Sequence, residues 1–153
     1  MSCVIVFVSR HKGNTKKVAE EIAKTLGCEA KELTEVTPDE AMKHDVIGVG
    51  SGIYAFSMDK RLKRLFENVK DAGGKKVFLF STSAGPDGKK YHKSLKKFLQ
   101  KRNFVIIGEF NCLGEYSFWF FGRRTINPGR PNEEDIERAR EFAREIQKGC
   151  TLS

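Results

Sequence analysis

The sequence predicts a doubly wound α/β sandwich, a five-stranded parallel sheet with helices on both faces. Three observations carry that prediction. Apolar runs of strand length alternate along the chain with amphipathic stretches of helix length. Four of the five runs are apolar almost throughout, as strands covered on both faces are. The intervening helices are long enough for right-handed crossovers, which place successive strands parallel.

Residues 3–8, CVIVFV, form the first strand. A helix over 14–26 follows, with Val18, Ile22 and Leu26 four apart on one stripe, and Gly27 ends it. Residues 28–33, CEAKEL, make a weaker second strand, and 45–50, DVIGVG, a third. The next helix covers 59–71, where Leu62, Leu65, Phe66 and Val69 share one face. The fourth strand is 76–82, KVFLFST, and the helix over 88–102 after it turns Leu95, Phe98 and Leu99 inward. Residues 104–113, FVIIGEFNCL, close the sheet. The last helix, 133–148, buries Ile136, Ala139, Phe142, Ala143 and Ile146; Asn132 caps it, and acidic residues fill its first turn, where the helix dipole favours them.

No repeat or linker interrupts the 153 residues, so one domain over 1–153 is expected. The apolar start is too short for a signal peptide and lacks a basic leading segment, and no apolar stretch reaches the ~18 residues of a membrane span. Cys3, Cys28, Cys112 and Cys150 are scattered without Cys-x-x-Cys spacing, which points to a reduced, cytoplasmic chain. Cys112 reads either as core at the end of the fifth strand or as a thiol beside a ligand. His11, His44 and His92 have no metal-ligand spacing, and the last two read as surface residues. With 28 Lys and Arg against 20 Asp and Glu, the net charge is +8, which favours an anionic partner.

In a doubly wound sheet, ligands bind outside the carboxyl ends of the strands, where strand order reverses. The chemistry is therefore expected in the loops after strands 1, 3 and 4. The first, SRHKGNTKK, offers Ser9, His11, Lys12, Gly13, Asn14 and Thr15 at a helix N-terminus, where free N–H groups and the dipole suit a phosphate. The alternative is a plain helix start, with Asn14 or Thr15 as its cap. The second, GSGIYAF, places Ser51, Gly52, Ile53, Tyr54, Ala55 and Phe56 beside that loop; Tyr54 or Phe56 stacks on a flat ring or packs on the following helix. The third, TSAGPDG, supplies Thr82, Ser83, Ala84 and Gly85. The triphosphate-loop, dinucleotide and nucleophilic-serine motifs are absent, as are the acidic residues of a phosphoacceptor receiver domain.

These stretches resemble the flavodoxin family. FVSRHKGNTKKVAEEIA is similar to its phosphate-loop signature, and GSGIY and STSAG resemble the two loops that flank its isoalloxazine ring. The tail resembles a flavodoxin-like subgroup through its Cys-x-Gly and Gly-Arg-Pro-Asn segments. The resemblance implies the strand order 2-1-3-4-5 that flavodoxin itself exemplifies. It also implies FMN as cofactor, backbone contacts to the flavin ring from 51–55 and 83–85, and one- or two-electron transfer with a redox protein partner. In this picture Gly52 and Gly85 let a peptide reorient on reduction. A flavin-dependent reductase of a quinone or porphyrinogen-like substrate is the alternative; a flavin-free binding module whose basic face meets an acidic protein or nucleic acid is another.

Two departures from the family stand out. Three residues rather than the usual two separate Ser9 from Gly13, and the chain is basic where flavodoxins are usually acidic. Lys89, Lys93, Lys96, Lys97 and Lys101 lie on one helix face, either simply solvated or docking an acidic redox partner. Nucleic acid is not expected, because no stacking aromatics interleave with those lysines. The segment YSFWFFGRR, from Tyr116 to Arg124, reads as a lid, a partner surface or a membrane-surface contact.

Overall fold

The computed structural model describes residues 2–10, 13–118, 122 and 124–151. Strand β1 (Cys3–Val8) leads into helix α1 (Asn14–Leu26), then β2 (Glu29–Glu32), a short α2 (Pro38–Met42), β3 (Val46–Tyr54) and β4 (Ser57–Met58). Strand β5 (Lys76–Ser83), α3 (Lys93–Gln100), β6 (Val105–Leu113), the hairpin β7 (Tyr116–Phe118) and β8 (Arg124–Ile126), and α4 (Glu133–Thr151) complete the order. The sheet runs β2-β1-β3-β5-β6, all pairs parallel, and β4 pairs antiparallel with β3 off that path. In chain order these five strands are the expected 2-1-3-4-5.

Two apolar layers hold the sheet, and β1 shows why a strand here is apolar at every position. Val4, Val6 and Val8 face one layer with Leu62, Leu65, Phe66, Leu95 and Leu99. Cys3, Ile5 and Phe7 face the other with Val18 and Ile22 of α1 and Ala139, Ala143 and Ile146 of α4. Cys112 belongs to this second layer, 2% exposed, and burial pushes its thiol up to about 12. Edge strand β6 is covered less than expected: its first residue, Val105, is 48% exposed, whereas β1 is buried at every position and β3 and β5 along most of their length.

The glycines of VIGVG have a packing reason. Gly48 and Gly50 pair with Phe78 and Phe80 of β5, whose rings lie across them. A Cβ at either position would stand 2.3 or 2.2 Å from a ring carbon.

Where local structure differs from expectation, hydrogen bonding explains it. The expected helix over 59–71 is a 3-10 helix over Lys60–Leu65 only. Its bonds close three residues apart, Leu62 N–H to Asp59 and Phe66 N–H to Lys63, and Leu62, Leu65 and Phe66, Val69 share that spacing. The expected helix over 88–102 begins as a 3-10 turn over Gly88–His92 before α3. Helix α2 was not expected, although Thr37 and Glu40 form a capping box around Pro38. Asn132 caps α4 as expected: its Oδ1 accepts from Asp135 N–H at 3.0 Å, and Asp135 Oδ2 accepts from Asn132 N–H at 2.9 Å.

Gly50→Ala is expected to cost roughly 1–3 kcal/mol, because the added methyl has no room beneath Phe80. Gly85→Ala, at an exposed position with open space around it, should stay within about 0.5 kcal/mol. Urea unfolding midpoints check both; equal midpoints for the two variants would contradict the packing account.

Candidate functional site

Strands β1, β3 and β5 are neighbours, so their carboxyl ends open side by side. At the first, Gly13 is the N-cap of α1 in a left-handed conformation, φ 70°, and no side chain caps the helix. Asn14 and Thr15 are therefore buried first-turn residues and not caps. Thr15 Oγ1 lies 3.0 Å from Thr82 Oγ1 of β5, and Asn14 Nδ2 donates to the Glu115 carbonyl at 2.7 Å. The first turn holds no acid either, so among the described residues no side chain answers the N–H groups of this electropositive helix end. Beside it, Ser9 Oγ and Asn14 Oδ1 are buried without a hydrogen-bond partner among the described residues. Each such orphan costs roughly 1–3 kcal/mol, a cost that a polar ligand removes. His11 and Lys12, expected at the phosphate, lie outside the described residues.

Strand β3 runs on to Tyr54 instead of ending at Gly50, so Ser51, Gly52, Ile53 and Tyr54 lie in a strand and not in a loop. Gly52 is paired with Thr82, which restrains the peptide that was expected to reorient. The turn itself is Ala55 and Phe56, with φ 50° and 62°, the geometry of a tight two-residue hairpin into β4. The Ser51 hydroxyl is engaged by the protein, donating to the Gly52 carbonyl at 2.7 Å and accepting from Asp59 N–H at 2.9 Å. The Tyr54 ring stands over Gly52, where a Cβ would meet its hydroxyl at 2.6 Å, and the Arg10 guanidinium lies 4.3 Å from the ring centroid. Burial pushes the Tyr54 phenol up to about 12. Phe56 is 79% exposed, with its ring 5.8 Å from that of Tyr91. Burial works against the Asp59 carboxylate, but Arg61 at 2.8 Å and Arg10 at 3.3 Å outweigh it and hold the group below its usual range.

The end of β5 is braced by a residue whose role the sequence did not reveal. Asn111 of β6 donates through Nδ2 to Ser81 Oγ at 2.9 Å and Ser83 Oγ at 3.1 Å, and its Oδ1 accepts from Gly88 N–H at 3.2 Å. Ser83 Oγ also donates to the Gly85 carbonyl at 2.7 Å. A polar residue inside FVIIGEFNCL was the available signal. Over this end folds the chain after β6: Tyr116 Oη donates to the Thr82 carbonyl at 2.8 Å, and Asn127 Nδ2 donates to the Ala84 carbonyl at 2.7 Å. Ser117 Oγ is a third buried oxygen without a partner among the described residues. The described part of the aromatic segment thus covers the sheet edge, as the lid reading expects; 119–121 and Arg123 lie outside the described residues.

The structure joins the start of α1 to the end of β5 through Thr15 and Thr82; Thr82 and Ser83, expected in a loop, lie in β5, and the β3 hairpin stands beside them. A cavity of about 630 Å³ also opens beside Ser9 and Arg10, walled by Leu33, Val36, Leu65, Arg61 and Arg64. Among the described residues, no group of three or more His, Cys, Asp or Glu is placed to hold a metal ion, and no helix is long and apolar enough to cross a membrane.

The donor set suits a phosphate ester bearing hydroxyls: an uncapped helix end and a serine hydroxyl for the phosphate, and the unpartnered Asn14 carbonyl oxygen for a hydroxyl. Comparison with known proteins agrees. The chain is 37% identical over 150 residues to an uncharacterized protein of Methanocaldococcus jannaschii, covering 97% of this chain and 99% of that one. It is 30% identical over 168 residues to a flavodoxin of Aquifex aeolicus, covering 99% and 89%. A solved flavodoxin from the domain Archaea superposes with a TM-score of 0.74 at 16% identity, covering 97% of this chain and 98% of that one, which shows the shared fold. A flavodoxin domain family model matches residues 4–112, so the chain belongs to the flavodoxin family, whose cofactor is FMN.

Proposed function

We propose that the chain, as a single domain over 1–153, binds FMN at this edge and serves as a flavodoxin-type electron carrier. The carrying observation is the uncapped N-terminus of α1 beside the unpartnered Ser9 hydroxyl. The N–H groups of α1 and Ser9 Oγ hold the phosphate, and Asn14 Oδ1 accepts from a ribityl hydroxyl. Backbone groups of 51–55 and 83–85 flank the ring, and Tyr116 closes the slot over Thr82. FMN supplies one- and two-electron chemistry at its ring. The protein supplies fixed dipoles and a dry wall, and one-electron transfer needs no acid or base from it.

Purified protein incubated with FMN is expected to turn yellow. Ser9→Ala should weaken FMN binding roughly tenfold to a hundredfold, the worth of one hydrogen bond to a charged group, while leaving the apoprotein at least as stable, since an orphan oxygen is removed. Fluorescence titration reads the affinity. A protein that stays colourless would favour the flavin-free binding module instead.

The partner side of this reading rests on charge. Lys89, Lys93, Lys97 and Lys101 are exposed along α3 and its flanks, whereas Lys96 is paired with Glu109 at 3.0 Å. An acidic redox protein in the cytoplasm suits that face. Lys93→Glu with Lys97→Glu should slow electron transfer from a reduced acidic iron–sulfur protein at low salt and flatten its salt dependence. Stopped-flow rates across an ionic-strength series check this; unchanged rates would place docking elsewhere.

The cavity beside Ser9 favours a second reading, a reductase of a quinone or porphyrinogen-like substrate. Its arginines and apolar wall suit an organic anion with an apolar body. Under it, the reduced FMN-loaded protein reduces a carboxylated benzoquinone faster than a neutral one, and Arg64→Ala removes the difference. Equal rates in both proteins would leave the carrier reading alone.

A further inference from the structure

His92 was expected at the surface, yet it is wholly buried, between β5, β6 and α3. Its two ring nitrogens have different partners. Nδ1 lies 3.1 Å from Glu109 Oε1, and because a carboxylate only accepts, Nδ1 carries the proton. Nε2 then accepts from the Ser81 hydroxyl at 2.6 Å. Ser81 Oγ in turn accepts from Asn111 Nδ2. The direction of every bond is therefore fixed from Asn111 through Ser81 and His92 to Glu109.

Among the described residues, Asn111 is also the single side chain that ties both ends of the 83–88 loop, Ser83 through Nδ2 and Gly88 through Oδ1. A proton taken from solvent onto Nε2 turns that nitrogen into a donor toward Ser81 Oγ. The Ser81 hydrogen then loses its acceptor and faces the amide donors of Asn111. Relief requires Asn111 to turn over, which takes the acceptor away from Gly88 N–H. The state of one buried ring is thus written into the loop that flanks the ligand.

We propose that His92 is a positioning residue for the 83–88 loop: neutral, it holds the loop in its FMN-facing form through Ser81 and Asn111, and protonated, it releases it. The ligand part of this rests on the FMN reading above; the coupling of ring to loop does not. Burial lowers the imidazole below its ordinary value. Glu109 from β6 acts in the opposite sense, and Lys89 of the preceding turn and Lys96 of α3 add to the lowering. The ring is consequently neutral at pH 7, and the release occurs only as pH falls below about 6.5.

NMR of the full chain without FMN tests the coupling. Across a titration from about pH 7.5 downward, the His92 ring nitrogens and the amides of Ser83, Gly85 and Gly88 are expected to move with one midpoint. In Glu109→Gln, which removes the opposing charge, that shared midpoint moves to lower pH. With FMN present, affinity of the unmutated protein should fall about fivefold through the same midpoint, the worth of about one hydrogen bond. His92→Gln should lose this pH dependence. Loop amides that ignore the ring, a midpoint unmoved in Glu109→Gln, or an identical FMN profile in His92→Gln would each overturn the proposal, as would loss of the whole dispersed spectrum at the midpoint. Should His92→Gln fail to fold, the Glu109→Gln midpoint decides the matter. A chain that never binds FMN sinks the proposed function and leaves the amide titration to judge His92.

Discussion

Polar groups are buried where three parallel strands end side by side, and the rest of the structure answers to their need for partners. Thr15, Ser51, Asp59, Ser81, Thr82, Ser83, His92 and Asn111 are all buried at or beneath that edge. A buried polar group without a partner costs as much as several good apolar contacts gain, so each must be met by a neighbour placed to within a few tenths of an ångström. The neighbours come from elements far apart in the chain: Thr15 meets Thr82, Ser51 meets Asp59, and Ser81 meets both His92 and Asn111. Register follows from these pairings as much as from the apolar layers, because a shift of one residue would turn every one of them to the wrong face.

Against that thorough pairing, the exceptions carry information. Among the described residues, Ser9, Asn14 and Ser117 leave a buried oxygen unmet, and α1 begins without a side-chain cap. The chain that satisfies Asn111 four times over had the residue types to cap α1 and did not use them: Asn14 Nδ2 reaches out to Glu115 and Thr15 to Thr82. A helix end of this kind suits an anion, and Tyr116 is anchored on the neighbouring strand end, at Thr82.

What the sequence made legible follows from the range of the forces involved. The three central strands and α1 could be read because their signal is local: a run of consecutive apolar residues, or apolar residues every fourth, with Gly27 at the stop. The junction of β1 and α1 could be read because a strand, a turn and a helix start adjoin in the chain. The stretch 60–65 misled because an apolar spacing of three suits a 3-10 helix as well as an α-helix, and only the Asp59 bonds decide between them. His92 and Asn111 were out of reach for another reason. Their partners stand 11, 17, 23 and 30 residues away, and nothing periodic points from one to the other. The extension of β3 to Tyr54 was hidden likewise, since its pairing to β4 depends on Ala55 and Phe56 adopting positive φ, which neither residue type advertises.

The same pairing also fixes the stem of each loop. The Ser51 and Asp59 stem of the β3 hairpin is bonded within the interior, while Phe56 at its tip is mostly in solvent. The 83–88 loop is bonded further along: Asn111 holds Ser83 and Gly88, Asn127 the Ala84 carbonyl and Ser83 the Gly85 carbonyl, although the Gly85 α-carbon has open space around it. A ligand shifts an equilibrium only by its differential affinity for the two states, and bonded stems offer it little to shift. Ligand-linked motion should then be confined to the tips, with the strand ends serving as a rigid frame. Gly52, paired to Thr82 within that frame, is poorly placed to flip, and a flip at Gly85 must first break the bond from Ser83 Oγ to its carbonyl. The proton on His92 is the exception that reaches a stem, because the ring sits in the one chain of hydrogen bonds that both stem ends of the 83–88 loop share.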